Sequence, residues 1–236
     1  MVRFIGDVAF DVGTGRVSEM KTCLDLFCKA GGAGRGYQLA GFDVTGVDIC
    51  PQKHYPARFV QADALDYVAQ YGWQYDFIHA SPPCQSHSNA SRLAGKHRKE
   101  YPDLIPHIRY LLTALDVPYV IENVVGARHA LRNPIELCGA TFGLKVYRHR
   151  LFESNLFLFE PEHQPHDDKT PAAGRGKSPK GFMSITGGGI IGVSYEERRA
   201  AMGIDWPITN AELTEAIPPA FTDYIGKQIM HILVNR

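Results

Sequence analysis

From Thr22 onward the chain alternates short apolar runs with amphipathic segments. Thr22 to Phe27 and Val44 to Ile49 are dense enough in apolar residues to predict buried strands, and Cys28 to Gly36 between them reads as a glycine-rich turn opening a helix. A third short strand is expected around Phe59-Val60, then a helix from Ala64 to about Gln70 and a strand over Tyr75 to Ala80. Leu104, Ile105, Ile108, Leu111, Leu112 and Leu115 fall on one stripe at helical spacing, which predicts a helix with all six in the core. Val117-Pro118-Tyr119-Val120-Ile121 is the next buried strand and ends at Glu122. Strands alternating with helices imply an α/β fold with a mostly parallel sheet and helices on both faces.

The pattern weakens at both ends of this core. Residues 1–20 lack a clear period and fit an added strand, a tail or an appended remnant. Pro161 to Gly181 is rich in Pro, Gly, His, Lys and Asp, which predicts a small irregular lobe and not a second globular domain. A short charged helix is expected from about Ser194 to Met202, and an apolar-periodic helix from about Phe221 onward. The resulting division is an extension over 1–20, a core over 21–154, a lobe over 155–193 and a return to the core over 194–236.

Length and composition narrow the picture. The 236 residues suffice for one sizeable core. Lys+Arg and Asp+Glu number 25 each, so any nucleic-acid partner must be held by a local basic surface. The five cysteines, Cys23, Cys28, Cys50, Cys84 and Cys138, contain no C-x-x-C pair. That argues against a disulfide framework and against a zinc site, so no metal is expected, and a reducing cytoplasm fits. There is no apolar run of bilayer length and no secretory leader, so a soluble intracellular protein with no membrane partner is expected; a monomer is the default.

Candidate chemistry lies at the strand ends. In Ser81-Pro82-Pro83-Cys84-Gln85 two prolines stop the strand and hold Cys84 on a stiff mount. Glu122 arrives at the end of another strand, and neighbouring parallel strands point their carboxyl ends at one crevice, so the two side chains are expected to share a pocket. Taken singly, Cys84 also reads as a small buried apolar residue and Glu122 as a surface carboxylate. The glycine-rich turn after Asp25, Asp48 at the end of the second strand and Asp63 after the third suit a nucleoside: backbone N–H groups, a ribose-binding carboxylate and a group for a base edge. Each acid alone reads equally as a helix cap or turn former. No G-x-x-x-x-G-K-[ST] loop is present, which disfavours a nucleoside triphosphate; S-adenosylmethionine is one phosphate-free ligand that fits.

At this point the residues resemble the DNA cytosine-C5 methyltransferases. Asp25-Leu26-Phe27-Cys28 with Ala30-Gly31-Gly32 resembles that family's cofactor loop, Pro82-Pro83-Cys84-Gln85 with Ser88 its nucleophile motif and Glu122-Asn123-Val124 its second catalytic motif. Arg148-His149-Arg150 resembles its arginine motif and Ile217-Pro218-Pro219 its C-terminal one. The chain departs from the family at Lys29, Val146 and Thr214-Glu215, and is short between Arg150 and about Ser194, where the family keeps its target-recognition region.

The resemblance implies a Rossmann-like S-adenosylmethionine-dependent methyltransferase fold with a reduced recognition lobe. It implies Cys84 as nucleophile, Glu122 as the group that stabilises the activated ring, Arg150 or Arg148 at the cytosine O2, and Asn123 orienting the loop or base. Cys84 is expected to ionise more readily beside a positive group. The cofactor would meet Asp25, Phe27, Ala30, Gly31, Gly32, Asp48, Ile49, Asp63, Ala64 and Pro82. Double-stranded DNA is the expected partner, with the target base flipped out. It would be met by Gln85, Ser88, Arg92, Lys96, Arg98 and Lys99 on a closing loop and by Arg175, Lys177 and Lys180 in the lobe. A small lobe implies a recognition sequence of about two to four base pairs. The rival readings are an N4-cytosine amino-methyltransferase, an RNA cytosine-C5 methyltransferase, a catalytically silent DNA-binding module and, through Lys29, use of a carboxylated relative of S-adenosylmethionine.

Overall fold

The computed structural model describes residues 2–5, 8–11, 17–84, 102–163, 165–166, 168–170, 175–186 and 189–235. Near the N-terminus, β1 (Val2–Ile5), β2 (Val8–Asp11) and β3 (Val17–Glu19) pair antiparallel in a separate three-stranded sheet. The remaining strands form one seven-stranded sheet. In chain order they are β4 (Thr22–Leu26), β5 (Asp43–Asp48), β6 (Arg58–Gln61), β7 (Phe77–Ala80), β8 (Tyr119–Val124), β9 (Ile135–Leu137) and β10 (Arg150–Ser154). In space the order is β6-β5-β4-β7-β8-β10-β9. The first five are parallel, and β10 and β9 close the edge antiparallel. The chain builds outward from β4 to β6, then returns to the other side of β4 for β7, and that reversal opens a crevice at the carboxyl ends of the central strands.

The helices are α1 (Gly32–Leu39), α2 (Ala64–Tyr71), α3 (Ile105–Leu115), α4 (Tyr195–Met202), α5 (Asn210–Glu215) and α6 (Pro219–Val234). Period-two alternation divides the sheet's side chains between two layers. Leu24, Leu26, Ile78 and Ile121 pack with α2 and α3 on one face, while Cys23, Phe77, Val120 and Phe152 pack with α1 and α6 on the other. Of the helical stripe, Ile105, Ile108 and Leu112 are fully buried with Leu111 and Leu115 beside them. Leu104 departs from the expectation: as the residue preceding α3 it lines the crevice. A buried fork pins α3 to β10, with Arg109 donating from Nε and Nη2 to the Glu153 carboxylate at 2.6 Å each.

A third apolar cluster joins Met183, Ile185, Ile190 and Val193 of the lobe to Ala201, Met202, Leu213 and Ala216 of α4, α5 and the residue after α5. Capping boxes start both helices, Ser194 with Glu197 and Thr209 with Glu212. No helix among the described residues is long and apolar enough to cross a membrane.

Candidate active site

A cavity of ≈ 390 Å³ occupies the crevice and is lined from the ends of β4, β5, β7 and β8, the start of β10 and the segment 214–217. One half of it begins at Asp25. This carboxylate is fully buried, with Oδ2 accepting from Tyr55 Oη at 2.9 Å and Oδ1 lacking a protein partner. Burial pushes its pKa up to about 8 against the pull of the Tyr55 hydroxyl. The turn that follows is held in a sparsely populated backbone region, with φ of 58° at Phe27 and 47° at Lys29. Asp48 secures that turn, accepting from the Lys29 N–H at 3.1 Å and the Cys50 N–H at 3.0 Å. Asp63 caps α2 through Oδ1, which accepts from the Leu65 and Asp66 N–H groups, and also lines the cavity. The helix-cap reading of Asp63 is thus observed.

Gly32 does not widen the turn for a ligand. A Cβ there would lie 2.3 Å from the Ile217 carbonyl oxygen, so the missing side chain lets the Ile217-Pro218-Pro219 segment close on the turn. Lys29 Nζ sits 3.6 Å from Glu215 Oε2 where both line the cavity, so these two departures from the family pattern offset one another in charge.

The other half of the cavity holds Cys84, Glu122 and Arg150. Arg150 Nε is 3.1 Å from Glu122 Oε1, an ion pair without hydrogen-bond alignment. Burial raises the Glu122 pKa, with Arg150 and the Ser81 hydroxyl opposing it. The Cys84 thiol is also pushed up, first by burial and then by the Glu122 charge, and Arg150 only partly offsets them. This corrects the expected ease of ionisation: the cation is present, but desolvation outweighs it. Asn123 donates from Nδ2 to the Pro82 carbonyl at 3.0 Å and so braces the Pro-Pro-Cys turn from β8.

The remaining expected site residues divide clearly. Asp25, Phe27, Ala30, Gly32, Asp48, Ile49, Asp63, Ala64 and Pro82 line the cavity, whereas Gly31 does not. Arg148 turns away: its guanidinium donates to the carbonyls of Ala216, Ile185 and Thr214 at 2.8, 3.2 and 2.6 Å. Arg150 is therefore the arginine that faces Glu122. Arg175 is exposed, Lys177 Nζ pairs with Glu197 Oε1 at 2.5 Å, and Lys180 lies on the surface of the lobe. Gln85, Ser88, Arg92, Lys96, Arg98 and Lys99 lie outside the described residues.

Sequence reading missed the support behind Glu122. Tyr37 Oη is 2.9 Å from His79 Nδ1, His79 Nε2 is 2.8 Å from Ser81 Oγ, and Ser81 bonds Glu122. Burial lowers the His79 pKa to about 3, so the ring is neutral and can accept at one nitrogen and donate at the other. A polar His79 inside an otherwise apolar strand was the available signal.

The expectation of no metal-ligand cluster is also corrected. Cys138, His149, His163 and His166 bring their ligand atoms within 4.8 Å of one another. The sequence reading weighed cysteine pairs, and this group has one cysteine and three histidines.

No protein-family model and no curated protein matches the chain. Solved structures do. A protein of E. coli assigned as a DNA modification methyltransferase encoded within a prophage superposes with a TM-score of 0.63 at 16% identity, over 92% of this chain and 100% of that one. The Dnmt2 methyltransferase of S. pombe gives 0.59 at 14% identity, over 90% and 99%. The methyltransferase EhMeth of Entamoeba histolytica gives 0.59 at 13% identity, over 92% and 99%. At these identities the likeness is one of fold: the chain has the Rossmann-like fold of S-adenosylmethionine-dependent methyltransferases, as the motif resemblance implied.

Proposed function

We propose that this protein is a DNA cytosine-C5 methyltransferase that uses S-adenosylmethionine. The observation that carries the reading is the convergence of Cys84, Glu122 and Arg150, from three strand ends, on one wall of a cavity whose far end presents Asp25, Asp48 and Asp63. The donor set suits the cofactor: an orphaned buried acceptor on Asp25, a carboxylate on Asp48, the exposed apolar side of Ile49, and no phosphate-binding loop. When bound there, S-adenosylmethionine supplies an electrophilic methyl group on a sulfonium.

The residues then divide the work. Cytosine C5 is a poor nucleophile until a thiolate adds at C6, so Cys84 must lose its proton and form the S–C6 bond. Glu122, held towards its protonated form by burial, gives a proton to ring N3 and takes the charge that addition creates. Arg150 donates to the ring O2, and Asn123 keeps the Pro82-Pro83-Cys84 turn in place. C5 takes up the methyl group and loses its proton to a base, and the S–C6 bond breaks to release the thiolate as N3 returns its proton to the Glu122 carboxylate. Because burial disfavours the free thiolate, loss of the thiol proton is coupled to formation of the S–C6 bond, which takes up the charge as it appears. The short lobe supports recognition of about two to four base pairs.

The test is nucleoside mass spectrometry of duplex DNA and of RNA, each incubated with the protein and S-adenosylmethionine beside a Cys84→Ala control. Formation of 5-methylcytosine in DNA, lost in the control, is the expected result. N4-methylcytosine, or product in RNA alone, would overturn the assignment in favour of the corresponding rival, and no product in either would favour a silent binding module.

A further inference from the structure

We propose that Cys138, His149, His163 and His166 form a structural zinc site that clamps the lobe to the edge of the catalytic sheet. The inference is independent of the methyl-transfer reading. It begins with strand register. β9 and β10 pair Leu137 with Arg150, so one step further places Cys138 opposite His149. Gly139 makes this approach possible: its N–H donates to the Tyr147 carbonyl at 2.6 Å, and a Cβ at this position would lie 2.2 Å from the Val146 carbonyl oxygen. Cys138 is thereby held, 2% exposed, at the mouth of a small basin. His163 and His166, three residues apart in the lobe, complete it.

The spacing of the four ligand atoms is close to that of a metal-ligand set. Cys138 Sγ lies 3.3 Å from His166 Nε2, and His149 Nε2 lies 3.1 Å from His163 Nε2. With metal–ligand bonds of about 2.0–2.3 Å, a tetrahedral site separates its ligand atoms by about 3.3–3.8 Å, so small adjustments admit the ion. The three imidazoles face one another with ring centroids 4.9–5.2 Å apart. Three rings cannot all satisfy their Nε2 atoms by pairing with each other, whereas a cation satisfies all three at once.

The surroundings hold the ligands in place. His166 stacks on Tyr147 at 3.6 Å and 9°, and Tyr147 stacks on Phe182 of the lobe at 4.5 Å and 16°. Glu136 is 3.9 Å from His149 Nε2 and engaged by Arg128, which leaves a thiolate and three imidazoles as the donor set among the described residues. That set of one soft and three intermediate donors suits zinc and disfavours magnesium or calcium. Binding releases the Cys138 thiol proton and joins the end of β9, the start of β10 and the lobe through one ion. His149 lies between Arg148 and Arg150, so the ion would fix the strand end from which Arg150 reaches Glu122.

The full chain, kept reduced, loaded with zinc chloride and desalted, should retain about one zinc per chain by elemental analysis, as expected of a closed four-ligand site. Chelator competition should show affinity at least about tenfold weaker for His163→Ala, His166→Ala and Cys138→Ser, and unchanged for Cys84→Ser. Cobalt(II) in place of zinc should give tetrahedral absorption with a thiolate charge-transfer band that Cys138→Ser abolishes. His163 is exposed, so its variant should fold as judged by circular dichroism even if the buried Cys138 variant does not. No retained zinc in the wild-type chain, or equal retention in folded His163→Ala and His166→Ala, would overturn the site.

Discussion

Asp25 is fully buried and its carboxyl group titrates near pH 8, whereas an unfolded-chain carboxylate titrates near about 3.9. Between those values the folded protein holds a proton that the unfolded chain lacks. Its contribution to stability is therefore complete at acid pH and is lost as pH rises to about 8, a swing on the order of 5 kcal/mol. His79 acts in the opposite sense, since its pKa falls to about 3 and its contribution is lost as pH drops below about 6.5. Asp25→Asn keeps the shape and removes the titration, while His79 is common to both proteins. The melting temperature of Asp25→Asn should match wild type at or below about pH 4 and exceed it increasingly up to about pH 8, where the gain levels off. A difference that stays flat across this range in differential scanning fluorimetry would mean that Asp25 is not a buried acid. At this scale Asp25, Asp48, Asp63 and Glu122, which the sequence sets at or just after strand ends, do line one cavity, because a carboxylate at a strand end has few places to point. It could not separate Arg148 from Arg150, since two residues of one strand-like segment differ only in what each meets across the fold.

Among the elements, β4, β5, β7 and β8 are legible because strands covered on both faces read as nearly continuous apolar runs. β9 and β10 are not, since β9 is a three-residue edge strand carrying Glu136, and β10, inside the sheet, carries Arg150 and Glu153. α5 left a readable trace in its Thr209-x-x-Glu212 cap. The junction of the glycine-rich turn with the C-terminal segment was invisible, because it depends on a contact between residues far apart in the chain. Gly32→Ala tests it. The new methyl group would meet the backbone of Ile217, which cannot swing aside as a side chain can. A cost of about 1–3 kcal/mol is expected, or a fall of about 3–10 °C in melting temperature for a chain of this size. Calorimetric affinity for S-adenosylmethionine should fall too, because residues 214–217 line the cavity. A variant as stable as wild type would show that the turn and the C-terminal segment do not need this contact.

For the whole molecule, the question is how the lobe is held against a core that folds around a different set of side chains. Arg148 is the joint on the protein's side. From just before β10 it donates to Ile185 in the lobe, to Thr214 near the end of α5 and to Ala216 after it, and burial lowers its pKa to about 9. Three carbonyl oxygens from two segments surround the desolvated guanidinium, which also feels the Glu122 charge, so each segment's position depends on the others. Arg148→Met leaves those three acceptors unpaired and should cost about 3–5 kcal/mol. Arg148→Lys should recover little, because an ammonium group cannot spread three donors over the same fork. The distinguishing measurement is hydrogen exchange resolved by peptide. In Arg148→Lys, protection should fall first over the described lobe and α4–α5, residues 182–216, while β4, β5 and β7 exchange as in wild type. Loss of protection spread evenly over both regions would mean that Arg148 supports the fold as a whole and does not serve as the hinge between its two parts.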